Sequence, residues 1–348
     1  MIPLSELKID ALLVSSPSNI RYLSGFTGSN GLLLLTPDSQ TLFTDPRYTI
    51  QASEECVCNV RTVAKGTLDV AAMDTARRKR LKRIGFEAGH TIYESYQRLK
   101  QALPLAASLK PIGPVIEKLR MVKTDKEIAL IRRSVLTNSE AFAATLPSVR
   151  PGVSEKEIAA ELEYKMRRLG AEKPAFETIV AAGARSALPH AQPTTQRIAG
   201  NELLLIDMGS CQSGYMSDMT RMLFIGRQSQ RTQGLYDAVL EAQLAAIDAV
   251  RPGVSASKVD KTARQVLKSK GLAKEFVHST GHGLGLEIHE PPRLGRRDQT
   301  RLEDGMVITI EPGAYVRGFG GVRIEDTVLV TKSGCEVLTP TSKELVLL

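Results

Sequence analysis

Three of the five histidines fall within twelve residues, in Phe276-Val-His278-Ser-Thr-Gly281-His282-Gly283-Leu-Gly285-Leu-Glu-Ile-His289-Glu-Pro-Pro292. A lone His is usually structural. Three this close, interleaved with Gly281, Gly283 and Gly285, read as imidazoles converging on a ligand that the backbone approaches closely. Four acids sit in comparably unusual places. Asn201–Asp207 is an apolar strand ending on an acid, and Gly214–Ile225 is a second strand with Asp218 near its start. The spacing of eleven positions from one acid to the other suits a bent hairpin that brings both to one place. Gly305–Glu311 is another apolar strand ending on an acid, and Gly320–Val330 carries Glu325 in its middle. An acid inside an apolar strand is costly to bury unless it is paired or binds metal. Four carboxylates and one imidazole suit two divalent cations: the charges balance, two carboxylates can bridge, and mixed O/N ligation points to Mn, Co or Zn. The competing arrangement is a set of separate ion pairs with Arg221 and Arg323.

These side chains need a scaffold, and the chain supplies the signs of one. The first third alternates strands and helices. Asp10–Ser15, Gly31–Thr36, Thr41–Asp45 and Ile84–Glu87 are short apolar runs bounded by turn residues. The basic run Arg77–Arg83 reads as a solvated helix end. Pro111-Ile-Gly-Pro114 interrupts the pattern and divides the chain into domains 1–114 and 115–348. Thr124-Asp-Lys-Glu127 is a capping box opening a helix with Ile128, Ile131 and Val135 on one face. An internal repeat follows: Arg150-Pro-Gly-Val-Ser154 recurs as Arg251-Pro-Gly-Val-Ser255, each Ser capping a helix that stops at a Gly of the same offset, Gly170 or Gly271. The two copies predict related halves of one domain.

Composition bounds the rest. A chain of 348 residues suits two domains, and 42% apolar with 24% charged residues can build a core. The +8 charge is spread along the chain, Trp is absent and aromatics are 5%, which argues against a nucleic-acid partner. Cys56, Cys58, Cys211 and Cys335 read as reduced thiols. No basic segment leads into an apolar run at the start, and no run approaches the ~18 residues of a membrane helix. A cytoplasmic protein without membrane contact is the expectation.

The ordered set Asp207, Asp218, His282, Glu311, Glu325 resembles the dinuclear metal site of the pita-bread metallopeptidases. Phe176-Glu-Thr-Ile-Val-Ala-Ala-Gly183, Ser186-Ala-Leu-Pro-His190, the histidine–glycine stretch and Ile310-Glu-Pro-Gly313 resemble the Xaa-Pro peptidase branch. Asn19-Ile-Arg-Tyr-Leu-Ser-Gly-Phe26 and Phe43-Thr-Asp-Pro-Arg-Tyr48 resemble its creatinase-like N-terminal domain. The resemblance implies an α/β (α+β) chain with a creatinase-like α/β domain followed by a pita-bread catalytic domain with pseudo-twofold halves. It implies two divalent metal ions, with Asp207 on one, His282 and Glu311 on the other, and Asp218 and Glu325 bridging. Glu311 would shuttle the proton, and His278 and His289 would hydrogen-bond the tetrahedral intermediate. His190, His278 and His289 would line the substrate site with Arg323.

Xaa-Pro dipeptides or short peptides are then the substrates, and a homodimer is the expected assembly. A dipeptidase must sense a carboxylate beyond the proline ring, a task suited to an Arg fork. Arg293 is the first candidate and Arg47 the second, which favours a dipeptidase (prolidase) over an aminopeptidase P. A metal-free creatinase-like hydrolase or a non-catalytic binding module would be expected to lose metal ligands, and all five are present.

Overall fold

The computed structural model describes residues 2–348, which form two compact units divided between Arg120 and Met121. The first holds a mixed six-stranded sheet in the order Asn59–Thr62, Gln40–Thr44, Gly31–Leu35, Ala11–Val14, Arg83–Glu87, Ser108–Ile112. Its four central strands are buried on both faces. Leu12, Val14, Leu33, Leu35 and Leu42 enter one cluster, while their neighbours Ala11, Leu13, Leu32, Leu34 and Phe43 enter another. This period-two division is why the runs read as continuously apolar. The division falls six residues beyond Pro114. Helix Val115–Met121 follows the proline break, yet its Ile116 is buried with Ile9, Leu12 and Ile112 of the first unit. The basic segment after helix Leu68–Arg78 is solvent-exposed, as expected.

The second unit shows the anticipated halves. Gly152 N–H donates to Ile198 O at 2.9 Å, and Gly253 N–H to Leu302 O at 2.8 Å. Ser154 bridges Arg197 as Ser255 bridges Arg301. Helices Glu155–Arg168 and Ala256–Ser269 each run to a glycine in the left-handed region, Gly170 at φ 106° and Gly271 at φ 78°. Residues of the first helix and of Asp125–Thr145 pack in one cluster with the sheet Ile179–Ala182, Glu202–Met208, Met219–Ile225, Val346–Leu347. The second helix and Gln230–Asp248 pack with the sheet Glu290–Leu294, Gly281–Gly283, Val307–Ile310, Asp326–Val330, Cys335–Val337. Among the described residues no helix is long and apolar enough to cross a membrane, and the four cysteines are free thiols.

Two expected strands are broken. Gly214–Ile225 resolves into Tyr215–Met216 and Met219–Ile225, with Asp218 in the gap. Gly320–Val330 resolves into Gly320–Arg323, paired with Gly313–Val316, and Asp326–Val330, paired with Val307–Ile310. Glu325 lies where the chain changes partners. The residues flanking it are pinned separately. Arg323 bonds Asp207 at 2.6 Å, and Asp326 takes Arg221 at 2.7 Å, Lys343 at 2.6 Å and Gln243 at 2.8 Å. Asp326 is fully buried, so Asp326→Ala strands the Arg221 charge. A loss of about 3–5 kcal/mol is expected for breaking such a pair, measured by urea unfolding monitored in the far-UV.

Candidate metal centre

The two sheets and the hairpin deliver the acids to one cavity of about 780 Å³ in the second unit. Asp207 is the last residue but one of its strand, opposite Thr220. Its Oδ2 accepts from Arg323, while its buried Oδ1 accepts no hydrogen bond. Asp218 Oδ1 is likewise buried without a donor, and its Oδ2 lies 3.6 Å from His282 Nε2. Glu311 Oε1 lies 3.4 Å from the same nitrogen. Glu325 Oε2 accepts from Thr220 Oγ1 at 2.7 Å. Ligand atoms of Asp218, His282 and Glu325 all fall within 4.8 Å of one another. His282 Nδ1 faces Gly283 O at 3.0 Å, so Nδ1 carries the proton and Nε2 turns its lone pair toward the acids.

Burial, reinforced by the neighbouring acids, pushes the Asp218 and Glu325 carboxyls well above the usual range, and burial pushes Glu311 up to about 8. Burial lowers His282 and His278 to about 4, so both rings are neutral at pH 7. Four clustered acids facing one guanidinium, two of them with donor-less buried oxygens, make an arrangement that divalent cations complete. The residues present fit such ions.

The three glycines have a different use from the one expected. A Cβ on Gly281 would sit 2.0 Å from Thr309 O, and one on Gly283 2.3 Å from Pro291 O. On Gly285 it would press on the Glu290 carboxylate at 2.9 Å. The space is taken by neighbouring chain rather than by a ligand. Behind His289, Glu290 forms a buried ion pair with Lys123 at 3.3 Å.

The remaining candidates divide. His190, His278, His289, Arg293 and Arg323 all line the cavity. His289 is exposed and stands edge-on to His282, ring centroids 4.4 Å apart. The Arg293 guanidinium, also exposed, touches Ser279 Oγ at 3.3 Å and has no carboxylate partner among the described residues. Arg323 is committed internally, donating to Asp207, to Tyr315 Oη at 2.7 Å, to Thr220 Oγ1 at 3.1 Å and to Pro189 O at 3.2 Å. Of the two arginines weighed as partners for the acids, only Arg323 engages one of the five ligands through its side chain; Arg221 takes Asp326. Arg47 belongs to the first unit, where it pairs with Asp45 at 2.8 Å.

Tyr315 was missed from sequence. Its hydroxyl joins Arg323 to His278 Nε2 at 2.8 Å, extending a chain His278–Tyr315–Arg323–Asp207. His278 Nδ1 faces the Ser279 carbonyl at 2.8 Å and must donate there, so Nε2 of the neutral ring accepts from Tyr315. The only sequence sign was its place four residues after Glu311.

Residues 129–332 match Metallopeptidase family M24, and residues 3–122 match the Creatinase/Prolidase N-terminal domain. A chain named Xaa-Pro dipeptidase from Pyrococcus horikoshii is 39% identical over 97% of this chain and 95% of its own length. Among solved structures, Xaa-Pro dipeptidase from Bacillus anthracis is similar with a TM-score of 0.96, at 39% identity, covering 99% of this chain and 97% of that one. X-Pro aminopeptidase from Thermotoga maritima has a TM-score of 0.92, at 36% identity, covering 99% of each chain. Matches that run through both units, together with a buried acid–imidazole cluster, leave one assignment: the chain belongs to metallopeptidase family M24 and carries a creatinase/prolidase N-terminal domain.

Proposed function

We propose that the protein is an Xaa-Pro dipeptidase using two divalent cations held by Asp207, Asp218, His282, Glu311 and Glu325, with Mn, Co or Zn suited to the donors. The carrying observation is the buried acid cluster with unsatisfied oxygens on Asp207 and Asp218. Relatives named Xaa-Pro dipeptidase support the substrate class. Bound cations supply a Lewis acid for the scissile carbonyl and acidify a water.

The protein's own groups do the rest. An Xaa-Pro bond is a tertiary amide, so its nitrogen offers no N–H to recognise and must gain a proton to leave. Glu311, on the cavity wall, is the carboxyl placed to carry that proton. His289 is the imidazole open to the cavity as a hydrogen-bond donor to a developing oxyanion, and His190 lines the substrate site. His278, with both nitrogens engaged, holds Tyr315 and through it Arg323 and Asp207. A homodimer in the cytoplasm completes the reading on the resemblance alone; sedimentation of the purified protein tests the assembly.

Arg293 favours dipeptides because its fork faces the cavity without an acid to neutralise it. Arg293→Ala is expected to raise KM for Xaa-Pro by about ten- to a hundred-fold, the scale of a lost hydrogen bond to a charged group. Amidated Xaa-Pro should be much less affected. The second reading, an aminopeptidase on longer peptides, is favoured by the likeness to the Thermotoga enzyme. Steady-state kinetics on dipeptide, amidated dipeptide and tripeptide separates the two: wild-type preference for the tripeptide, or equal effects of the variant on both short substrates, rejects the dipeptidase.

A further inference from the structure

The repeat that opens the two catalytic helices contains an internal control. Ser154 and Ser255 are followed by different residues, Glu155 and Ala256, in the same backbone setting. Glu155 N–H donates to Gln196 O at 3.1 Å, as Ala256 N–H does to Thr300 O at 2.9 Å. The next amides, Lys156 and Ser257, donate to Thr194 O and Asp298 O at 3.1 and 2.9 Å. The helix start therefore forms without an acid in the second half, and the Glu155 carboxylate serves something the first half alone requires.

Its contacts show what that is. The side chain is wholly buried. Oε1 accepts from Ala182 N–H at 2.8 Å and from Arg185 Nε at 3.1 Å. Oε2 accepts from Thr194 N–H at 2.8 Å and Thr194 Oγ1 at 2.7 Å. Ala182 and Thr194 are the two ends of the loop 183–193, so one carboxylate clasps both. Arg185 also reaches Gln192 O at 2.6 Å, tightening the loop from within. On its far side the loop rests on the hairpin through Ser186 Oγ, which accepts from Gly321 N–H at 2.8 Å. Its crest supplies Pro189, His190 and Gln192 to the cavity wall.

We propose that Glu155 is a positioning residue that closes the loop 183–193 at its base and so fixes His190 at the substrate cavity. The proposal rests on the Xaa-Pro hydrolase reading for its kinetic arm only. Glu155 touches neither the acid cluster nor any of the five ligands, so it acts on substrate binding rather than on the metals.

The test is a double-mutant cycle with an exchange measurement beside it. Glu155→Ala places the second half's residue in the first. It is expected to raise KM for an Xaa-Pro dipeptide by about ten-fold with kcat within about three-fold, a misplacement effect. Mn2+ binding by calorimetry should be unchanged. His190→Ala should raise KM similarly, and the double variant should show no further rise, because the two residues act as one unit. Independently, in Glu155→Gln the amides of Ala182, Ala191 and Thr194 should exchange with solvent faster while those of Ile158 and Leu204 keep their protection. Additive effects of the two substitutions, or unchanged protection at Ala182 and Thr194, overturn the clasp. Protection lost across the whole second unit overturns it in favour of a general stabilising role. Absence of Xaa-Pro hydrolysis in the wild type defeats the function instead, and the exchange arm then decides the clasp on its own.

Discussion

Asp218→Ala and Glu325→Ala are expected to lose Xaa-Pro hydrolysis by more than about 10³-fold, because Lewis-acid polarisation and nucleophile activation are lost together. Both side chains belong to the tight cluster with His282. Exhaustive chelation of the wild type should abolish activity, and Mn, Co or Zn should restore it. A second readout needs no substrate. A metal that binds only the folded chain stabilises it by about 2.7 kcal/mol at a hundred-fold excess over Kd. Added Mn2+ should therefore raise the wild-type Tm and leave that of either variant unmoved. The metal-free variants should match or exceed metal-free wild type in Tm, since removing one acid from a like-charged buried group relieves repulsion. Full activity of either variant in metal-free buffer would end the metallopeptidase account.

His289→Ala should behave in the opposite way toward metal. Its ring contacts His282 edge-on, but it lies outside the cluster and faces the cavity. If it donates to the tetrahedral intermediate, kcat falls by roughly 10²–10³, the scale of one oxyanion donor, with KM little changed. Metal content by elemental analysis should equal that of the wild type. A variant that loses metal would make His289 a ligand rather than a donor.

Much of the centre was legible in the residues themselves. Acids at the ends of apolar strands are costly, so their positions are informative before any coordinates exist. The halves were legible for a related reason: a capped helix start and a left-handed glycine are local signals, and both recur. The strand breaks at Asp218 and Glu325 were not, because apolar residues flank each break on both sides, and the change of partner is decided by distant groups such as Arg221 and Thr220. Tyr315 and Glu155 were hidden for the same reason. Glu155 bonds residues 27 and 39 positions away and Tyr315 bonds His278 across 37, and no spacing rule encodes which loop a buried carboxylate will reach.

The crowding around His282 bears on how relatives of this chain are to be read. Gly281 and Gly283 admit no side chain because carbonyl oxygens of Thr309 and Pro291 occupy the room. That exclusion belongs to the sheet and would hold with every metal ligand replaced. A descendant that had given up catalysis would still carry both glycines on either side of a vanished histidine. An invariant Gly-x-Gly here therefore testifies to an intact scaffold, and only the residue between the glycines, with its four carboxylate companions, testifies to a working enzyme.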